Sequence, residues 1–358
     1  MKLLEPITLG PLQLRNRTAM APMTRSRADH QGVVGDMTVT YYRQRASAGL
    51  IITEGVNISE QAIGNPLTPG LYTDAQVAAW QKVNDAVHAE GGTIFAQLWH
   101  TGRVGHSLNK NGALPVAPSA IAIQGQQVFT AEGPKDYEVP RALETDEIPG
   151  IVEDYRRAAE NAKLAGFDGV ELHGAFGYLP NQFLVDGANQ RTDAYGGSIE
   201  NRSRFTLEVM RALVDVWGAG RVGIKLSPSI PYNNMLDSDP TAVFSYLITE
   251  LNKLPLAYLQ LMRPLFPLDA FPHYPKDVHA TFAHLFDKPI MMNGGYQPDV
   301  AEAEVQAGKA DLVSFGNLYL ANPDLPARIA QNGPYNAVDP GTMFGGGAQG
   351  YIDYPTLS

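Results

Sequence analysis

His173 and Tyr178 lie five residues apart in the stretch spanning residues 168–204, DGVELHGAFGYLPNQFLVDGANQRTDAYGGSIENRSR. An imidazole can stabilise a negative charge developing on a bound oxygen. A phenol with an ordinary pKa of about 10 can hand a proton to a carbanion. Residues 168–172 read as a short buried strand that stops at His173 and releases into a loop carrying Tyr178, with a helix starting after Ser198. Groups just past the carboxyl end of a strand stand where α/β folds assemble their sites. Taken singly, a histidine at such a point is more often structural and a tyrosine often only packs, so their company at other strand ends has to give them meaning.

The elements that position them alternate along the chain. Residues 6–17, PITLGPLQLRNR, read as a hairpin around Gly10-Pro11. Strands follow at 18–23, 50–55 (LIITEG), 93–100 (TIFAQLWH), 168–172, 222–226, 258–262, 289–292 and 311–315. Helices are expected from Thr38, from Asp74 to His88, from Thr145, over 199–217 and 241–254, then at 279–286, 298–307 and 323–331. Residues 100–143, rich in Gly, Pro, Ser and Gln, interrupt this rhythm as an insertion after strand three. Eight strands, each followed by a helix, predict an α/β fold, a (β/α)8 TIM barrel forming one domain over 1–358.

The expected strand ends carry Thr24, Glu54, Gln97 with Trp99, His173, Lys225, Met262-Arg263, Asn293-Gly294-Gly295 and Gly316-Asn317. Hydrogen-bonding groups dominate, and no set of His and carboxylates converges as a metal site requires. Glycines after strands seven and eight are where barrels receive phosphate on backbone N–H groups, although glycines there also serve simple turns. Gln97, with a donor and an acceptor on one amide, suits the edge of a heteroaromatic ring such as a flavin, and Thr24 offers a hydroxyl. Taken alone, each is more often a satisfied polar residue at a strand end.

Bulk composition narrows the partners. The 358 residues are 44% hydrophobic and 18% charged, with a net charge of −10 and no basic cluster, which argues for a small-molecule substrate and against nucleic acid or an anionic membrane surface. The absence of cysteine excludes disulfides, thiol nucleophiles and thiolate metal sites. With no apolar leader core and no run of eighteen apolar residues, a cytoplasmic protein is expected.

Longer motifs carry a resemblance. NRTAMAPMTRSRA, YYRQRASAGLIITEG, FAQLWHTGR, PVAPSAI, HGAFGYLPNQF through NQRTDAYGGSIENR, ANPDLPARI and GYIDYP span nearly the whole chain. Together they make it similar to the old yellow enzyme family of FMN-dependent ene reductases, in particular the bacterial branch that includes N-ethylmaleimide reductase and pentaerythritol tetranitrate reductase. The resemblance implies FMN reduced by NADPH or NADH. Hydride then passes from flavin N5 to the β-carbon of an activated C=C bond (enone, maleimide, nitroalkene), or a nitro compound is reduced. It also implies that His173 grips the substrate's electron-withdrawing oxygen and Tyr178 protonates the α-carbon, with Trp99, Phe176 and Tyr351 around the substrate. The implied cofactor contacts are Pro22, Met23, Thr24, Gly55, Gln97, Lys225, Gly294, Gly295, Gly316 and Asn317.

Three of these positions depart from the family pattern. Phe176 replaces an Asn or His that would be the second donor to the substrate oxygen, and loss of one such donor typically costs about a hundred- to a thousandfold in rate. Lys225 replaces an Arg facing the flavin N1 and C2 carbonyl, keeping charge but losing the planar fork. Asn317 replaces an Arg on the FMN phosphate, where a charge-assisted hydrogen bond contributes about 1.5 to 3 kcal/mol. The departures admit an alternative, a diverged or engineered barrel with weak or no flavin binding that acts on or binds a different small molecule. A glycoside hydrolase using Glu54 and Glu171 is a rival from another class.

Overall fold

The computed structural model describes residues 1–357. Eight parallel strands close into a barrel: β1 Thr18–Met20, β2 Leu50–Asn57, β3 Ile94–Trp99, β4 Gly169–Gly174, β5 Val222–Leu226, β6 Tyr258–Met262, β7 Ile290–Asn293 and β8 Leu312–Phe315, the last pairing with β1. Around it lie α1 Asp36–Gln44, α2 Asp74–Ala89, α3 Ile148–Leu164, α4 Leu179–Leu184, α5 Ile199–Trp217, α6 Pro240–Leu251, α7 Val278–Phe282, α8 Pro298–Gln306, α9 Asn317–Ala321 and α10 Leu325–Ala330. The expected barrel is therefore found. No helix of the described residues is long and apolar enough to cross a membrane.

Differences from the sequence reading lie at element ends. Helix α2 is capped by Thr73 and not Asp74: the Thr73 hydroxyl accepts from the Gln76 N–H while the Gln76 side chain returns to the Thr73 N–H. Helix α3 begins at Ile148, past Thr145, with Pro149 in its first turn, where a missing N–H is harmless. The helix expected at 279–286 shortens to α7 followed by a 3-10 turn, Ala283–Leu285, and that expected at 323–331 is found as α10, preceded by a short helix, α9, that the sequence reading did not give. Strand β4 runs on through His173 to Gly174. The supposed loop beyond it contains α4, whose first turn accommodates Pro180. The insertion after β3 holds a hairpin of Gln127–Thr130 with Gly133–Asp136 and a parallel pair, Val116–Ala117 with Arg141–Ala142.

Strand alternation explains why the site is where it is. Outward residues such as Val170, Leu172, Ile224, Leu259 and Val313 join the large core between strands and helices. Inward residues near the amino ends of the strands, Leu50, Ile52, Phe95, Tyr258, Met291 and Leu312, form a second apolar cluster. Leu9 and Leu14 of the amino-terminal hairpin, Ile7–Leu9 with Leu12–Leu14, pack onto that cluster and plug the barrel from below. One step further along each strand the inward residues turn polar: Gln97, Glu171, Lys225, Gln260 and Ser314 are all buried. On β3, β6 and β8 the inner face reads apolar then polar, and β4 and β5 add Glu171 and Lys225 to the same layer, so the polar groups gather toward the carboxyl end.

Candidate active site

The polar layer is a floor of connected groups. Strand register places Glu171 beside Gln97 and His173 beside Lys225. Gln97 Nε2 donates to Glu171 Oε1 at 2.8 Å, and the Tyr258 hydroxyl donates to Oε2 at 2.9 Å. With one amide N–H committed to Glu171, Gln97 keeps its second N–H and its carbonyl oxygen free. Burial pushes the Glu171 carboxyl up to about 7, against the opposing pull of Lys225, Gln97 and Tyr258. Burial likewise brings the Lys225 ammonium down to about 8, partly offset by Glu171. The Lys225 ammonium makes no hydrogen bond to the described residues, and its Nζ lies 5.6 Å from the Phe176 ring centre.

Above the floor stand four rings. His173 is 4.7 Å between centroids from Tyr178, 6.3 Å from Trp99 and 6.5 Å from Phe176, and Trp99 meets Tyr178 edge-on at 5.0 Å. The sequence-expected residues Trp99, His173, Phe176 and Tyr178 are therefore brought together. His173 Nδ1 and Trp99 Nε1 are buried with no protein partner among the described residues. Desolvation, and then Lys225, drive the His173 imidazole well below its usual range, so it is neutral. Burial, with Tyr137 and Tyr232 nearby, raises the Tyr178 phenol and keeps it protonated. Phe176 adopts a left-handed backbone with φ of +56°, a region that disfavours bulky residues but tolerates Asn and His. Its N–H donates to Ser227 Oγ at 3.0 Å and its carbonyl accepts from Asn233 Nδ2 at 2.9 Å, which fixes the turn.

Gly55 has a packing reason of its own. A Cβ there would lie 2.5 Å from Cε3 of Trp99, so glycine is what lets the indole reach its place. Trp99 itself is only 1% exposed and backs the ring cluster from behind.

The remaining expected cofactor contacts lie at the ends of β1, β7 and β8. Pro22, Met23 and Thr24 are half-buried just past β1, and a Cβ on Gly316 would meet only Met23 Sδ, at 3.6 Å. A Cβ on Gly295, whose φ is +66°, would meet nothing within 4 Å. The N–H groups of Gly295, Gly316 and Asn317 have no acceptor among the described residues. The Asn317 side chain is exposed.

Tyr351 is a correction. It is fully buried, stacked on Tyr41 of α1 at 4.3 Å, with its hydroxyl 3.3 Å from Thr38 Oγ1, and the guanidinium of Arg27 lies 4.4 Å from its ring centre. It packs the carboxyl-terminal segment onto α1 and does not join the ring cluster. The exposed ring of that segment is Phe344, next to Gly345, whose N–H donates to the carbonyl of Arg25, the residue after Thr24. Arg25, buried and donating to the carbonyls of Met343 and Gly350, holds this segment in place. Sequence reasoning missed it because a lone arginine in a motif does not reveal a distant backbone partner.

The two carboxylates of the hydrolase rival are both committed elsewhere. Glu171 is held as above, and Glu54 Oε2 accepts from the Arg25 N–H at 3.0 Å. Among the described residues no group of three or more His, Asp or Glu could hold a metal.

A parallel barrel whose mouth carries a neutral histidine, a protonated tyrosine, an amide–lysine floor and free N–H donors after β7 and β8 has the makings of a barrel enzyme that takes a small anionic ligand. Comparison with known proteins gives the particular family. Residues 2–336 match the profile of the NADH:flavin oxidoreductase / NADH oxidase family. A solved morphinone reductase, in complex with tetrahydroNAD, is 48% identical with a TM-score of 0.94, covering 100% of this chain and 98% of that one. The old yellow enzyme homologue from Zymomonas mobilis is 40% identical with a TM-score of 0.95, covering 100% of both chains. Among curated proteins, 12-oxophytodienoate reductase 1 of Oryza sativa subsp. japonica is 44% identical over 99% of this chain and 93% of its own. The chain belongs to the NADH:flavin oxidoreductase / NADH oxidase family, the old yellow enzyme family of the sequence reading. Its cofactor is FMN and its reductant a nicotinamide, and the free donors at Gly295, Gly316 and Asn317 fit the phosphate of the former.

Proposed function

We propose that this barrel reduces activated C=C bonds, in enones, maleimides or nitroalkenes, and nitro compounds, with His173 and Tyr178 as its catalytic pair. The observation that carries the roles is the neutral His173, its Nδ1 buried without a partner, packed 4.7 Å from a phenol that burial keeps protonated. Bound FMN would supply the hydride chemistry that links a reduced nicotinamide to the substrate. His173 donates to the substrate's electron-withdrawing oxygen, so that charge developing there is stabilised without the imidazole itself titrating. Tyr178 gives its proton to the α-carbon. Gln97 would offer its amide to the pyrimidine edge of the ring system, and Lys225 would place positive charge toward the N1 and C2 carbonyl where reduction adds charge. Thr24, with Pro22 and Met23, lines the β1 side of the same ring system. Phe176 walls the substrate, and Trp99 shapes the pocket from behind the ring cluster. Phe176 has no donor, so substrate activation rests on His173, and substrates that need a single hydrogen bond are favoured over those needing two.

The unit that carries out this reaction is taken as residues 1–358, in the cytoplasm, where reduced nicotinamide is available. Replacement of Tyr178 by Phe tests the pair. With FMN bound, Y178F should still accept electrons from NADPH at the native rate and reduce 2-cyclohexenone at least about a hundredfold more slowly. Equal loss in both half-reactions would mean that Tyr178 serves cofactor binding and not proton delivery.

A further inference from the structure

The turn after β7 is held by a side chain from the neighbouring strand. Arg263, the first residue past β6, donates its N–H to the Asn293 carbonyl at 2.9 Å. Its guanidinium donates twice to the Gly294 carbonyl, from Nη2 at 2.8 Å and from Nε at 3.2 Å. The same group lies 3.6 Å from the centre of the Tyr296 ring, whose hydroxyl is bonded to Glu304 of α8, and Glu304 Oε1 is 3.9 Å from Arg263 Nη1. The fork is thus fixed from three directions. Gly294 fits it closely: at φ of +120° only glycine sits comfortably, and a Cβ would press on Arg263 at 3.2 Å.

A trans peptide is planar, with its C=O and N–H pointing opposite ways. A Gly294 carbonyl drawn to Arg263 therefore turns the Gly295 N–H away from it. That N–H finds no protein acceptor among the described residues, and Gly295 has open space beside it. The neighbouring strand end supplies Gly316 and Asn317, neither of which carries a charge.

We infer that Arg263 is a positioning residue for the cofactor. By pinning the Gly294 carbonyl it aims the Gly295 N–H at the phosphate of FMN, supplying through backbone orientation what an uncharged Asn317 does not supply by direct contact. Two of its five N–H donors go to the Gly294 carbonyl, and the guanidinium is held there against the Tyr296 ring and beside Glu304, so its effect is exerted through the backbone. The inference rests on the flavin reading above.

Riboflavin, which shares the ring system but lacks the phosphate, separates this role from a structural one. Affinities of FMN and riboflavin are measured by flavin fluorescence quenching on the flavin-free full chain, for the native protein, R263M, R263K and R263M/N317R. R263M should bind FMN about ten- to a hundredfold more weakly with riboflavin affinity unchanged, and N317R in that background should restore FMN binding. Equal loss of both flavins, or full retention of FMN affinity, overturns the inference. If circular dichroism shows R263M unfolded, R263K decides. It keeps the charge and loses the fork, so it should lose part of the preference for FMN over riboflavin, and an intact preference overturns the inference. A native chain that binds neither flavin is a different result and removes the flavin reading itself.

Discussion

Phe176 is the residue at which this chain departs most consequentially from its family. Its backbone is left-handed, a conformation costing about 1 to 2 kcal/mol for an ordinary L residue and less for asparagine. Ser227 and Asn233 hold the turn through main-chain atoms and so would hold it for another side chain as well. Substitution F176N should therefore place a second donor beside His173 without disturbing the turn. We expect kcat/KM for 2-cyclohexenone to rise about a hundredfold, read by steady-state NADPH oxidation. An unchanged value would mean that His173 alone already supplies the full activation. Motif comparison made Phe176 visible as a departure. Its strained backbone was not visible, because φ at one residue depends on the Ser227 and Asn233 contacts from the next strand's loop.

At the scale of the elements, strands β3, β4 and β6 share one buried acid. Glu171 sits on β4, bonded to Gln97 on β3 and Tyr258 on β6, and its carboxyl is pushed up to about 7 by burial. A carboxyl whose folded pKa lies above its unfolded value of about 4.3 binds more protons folded than unfolded between those values, so its contribution to stability is lost as pH rises through the window. E171Q removes that titration and keeps hydrogen-bonding atoms at the same place. Relative to E171Q, the flavin-free native protein should lose stability between about pH 4.5 and about pH 7, measured by urea denaturation across the range. A constant difference would show that the carboxyl titrates normally despite its burial. The alternation of β3 put Phe95, Gln97 and Trp99 on one face from the sequence alone, and the layer containing Gln97 was legible for that reason. The Glu171 network was not, since which neighbouring strand faces which residue is set by register around the closed barrel. Element ends shifted for similar local reasons, as where the Thr73–Gln76 capping box replaces a cap by Asp74.

For the molecule as a whole, the barrel, the amino-terminal hairpin and the insertion after β3 followed from the spacing of apolar runs and glycine breaks, because each strand is buried on both faces and each helix on one, whereas the hairpin's place under the barrel did not. The site was legible where a residue lies at a strand end. Tyr351 was misplaced because it lies in the tail beyond the last strand, where periodicity says nothing about which surface a chain returns to. It returned to α1, beside Arg25 and Arg27. Arg263 was noted only as a strand-end residue, since its partner, a carbonyl on β7's turn, has no signature in the sequence. The central claim is that a polar mouth above an apolar plug makes this chain a working flavin reductase despite Phe176, Lys225 and Asn317. The most direct test is the visible absorbance of the protein after loading with FMN and desalting, followed under anaerobic conditions through addition of NADPH and then of 2-cyclohexenone. The account predicts a flavin band that stays with the protein, bleaches with NADPH and returns with the enone. A protein that emerges colourless, or whose bound flavin bleaches and never returns, would contradict it.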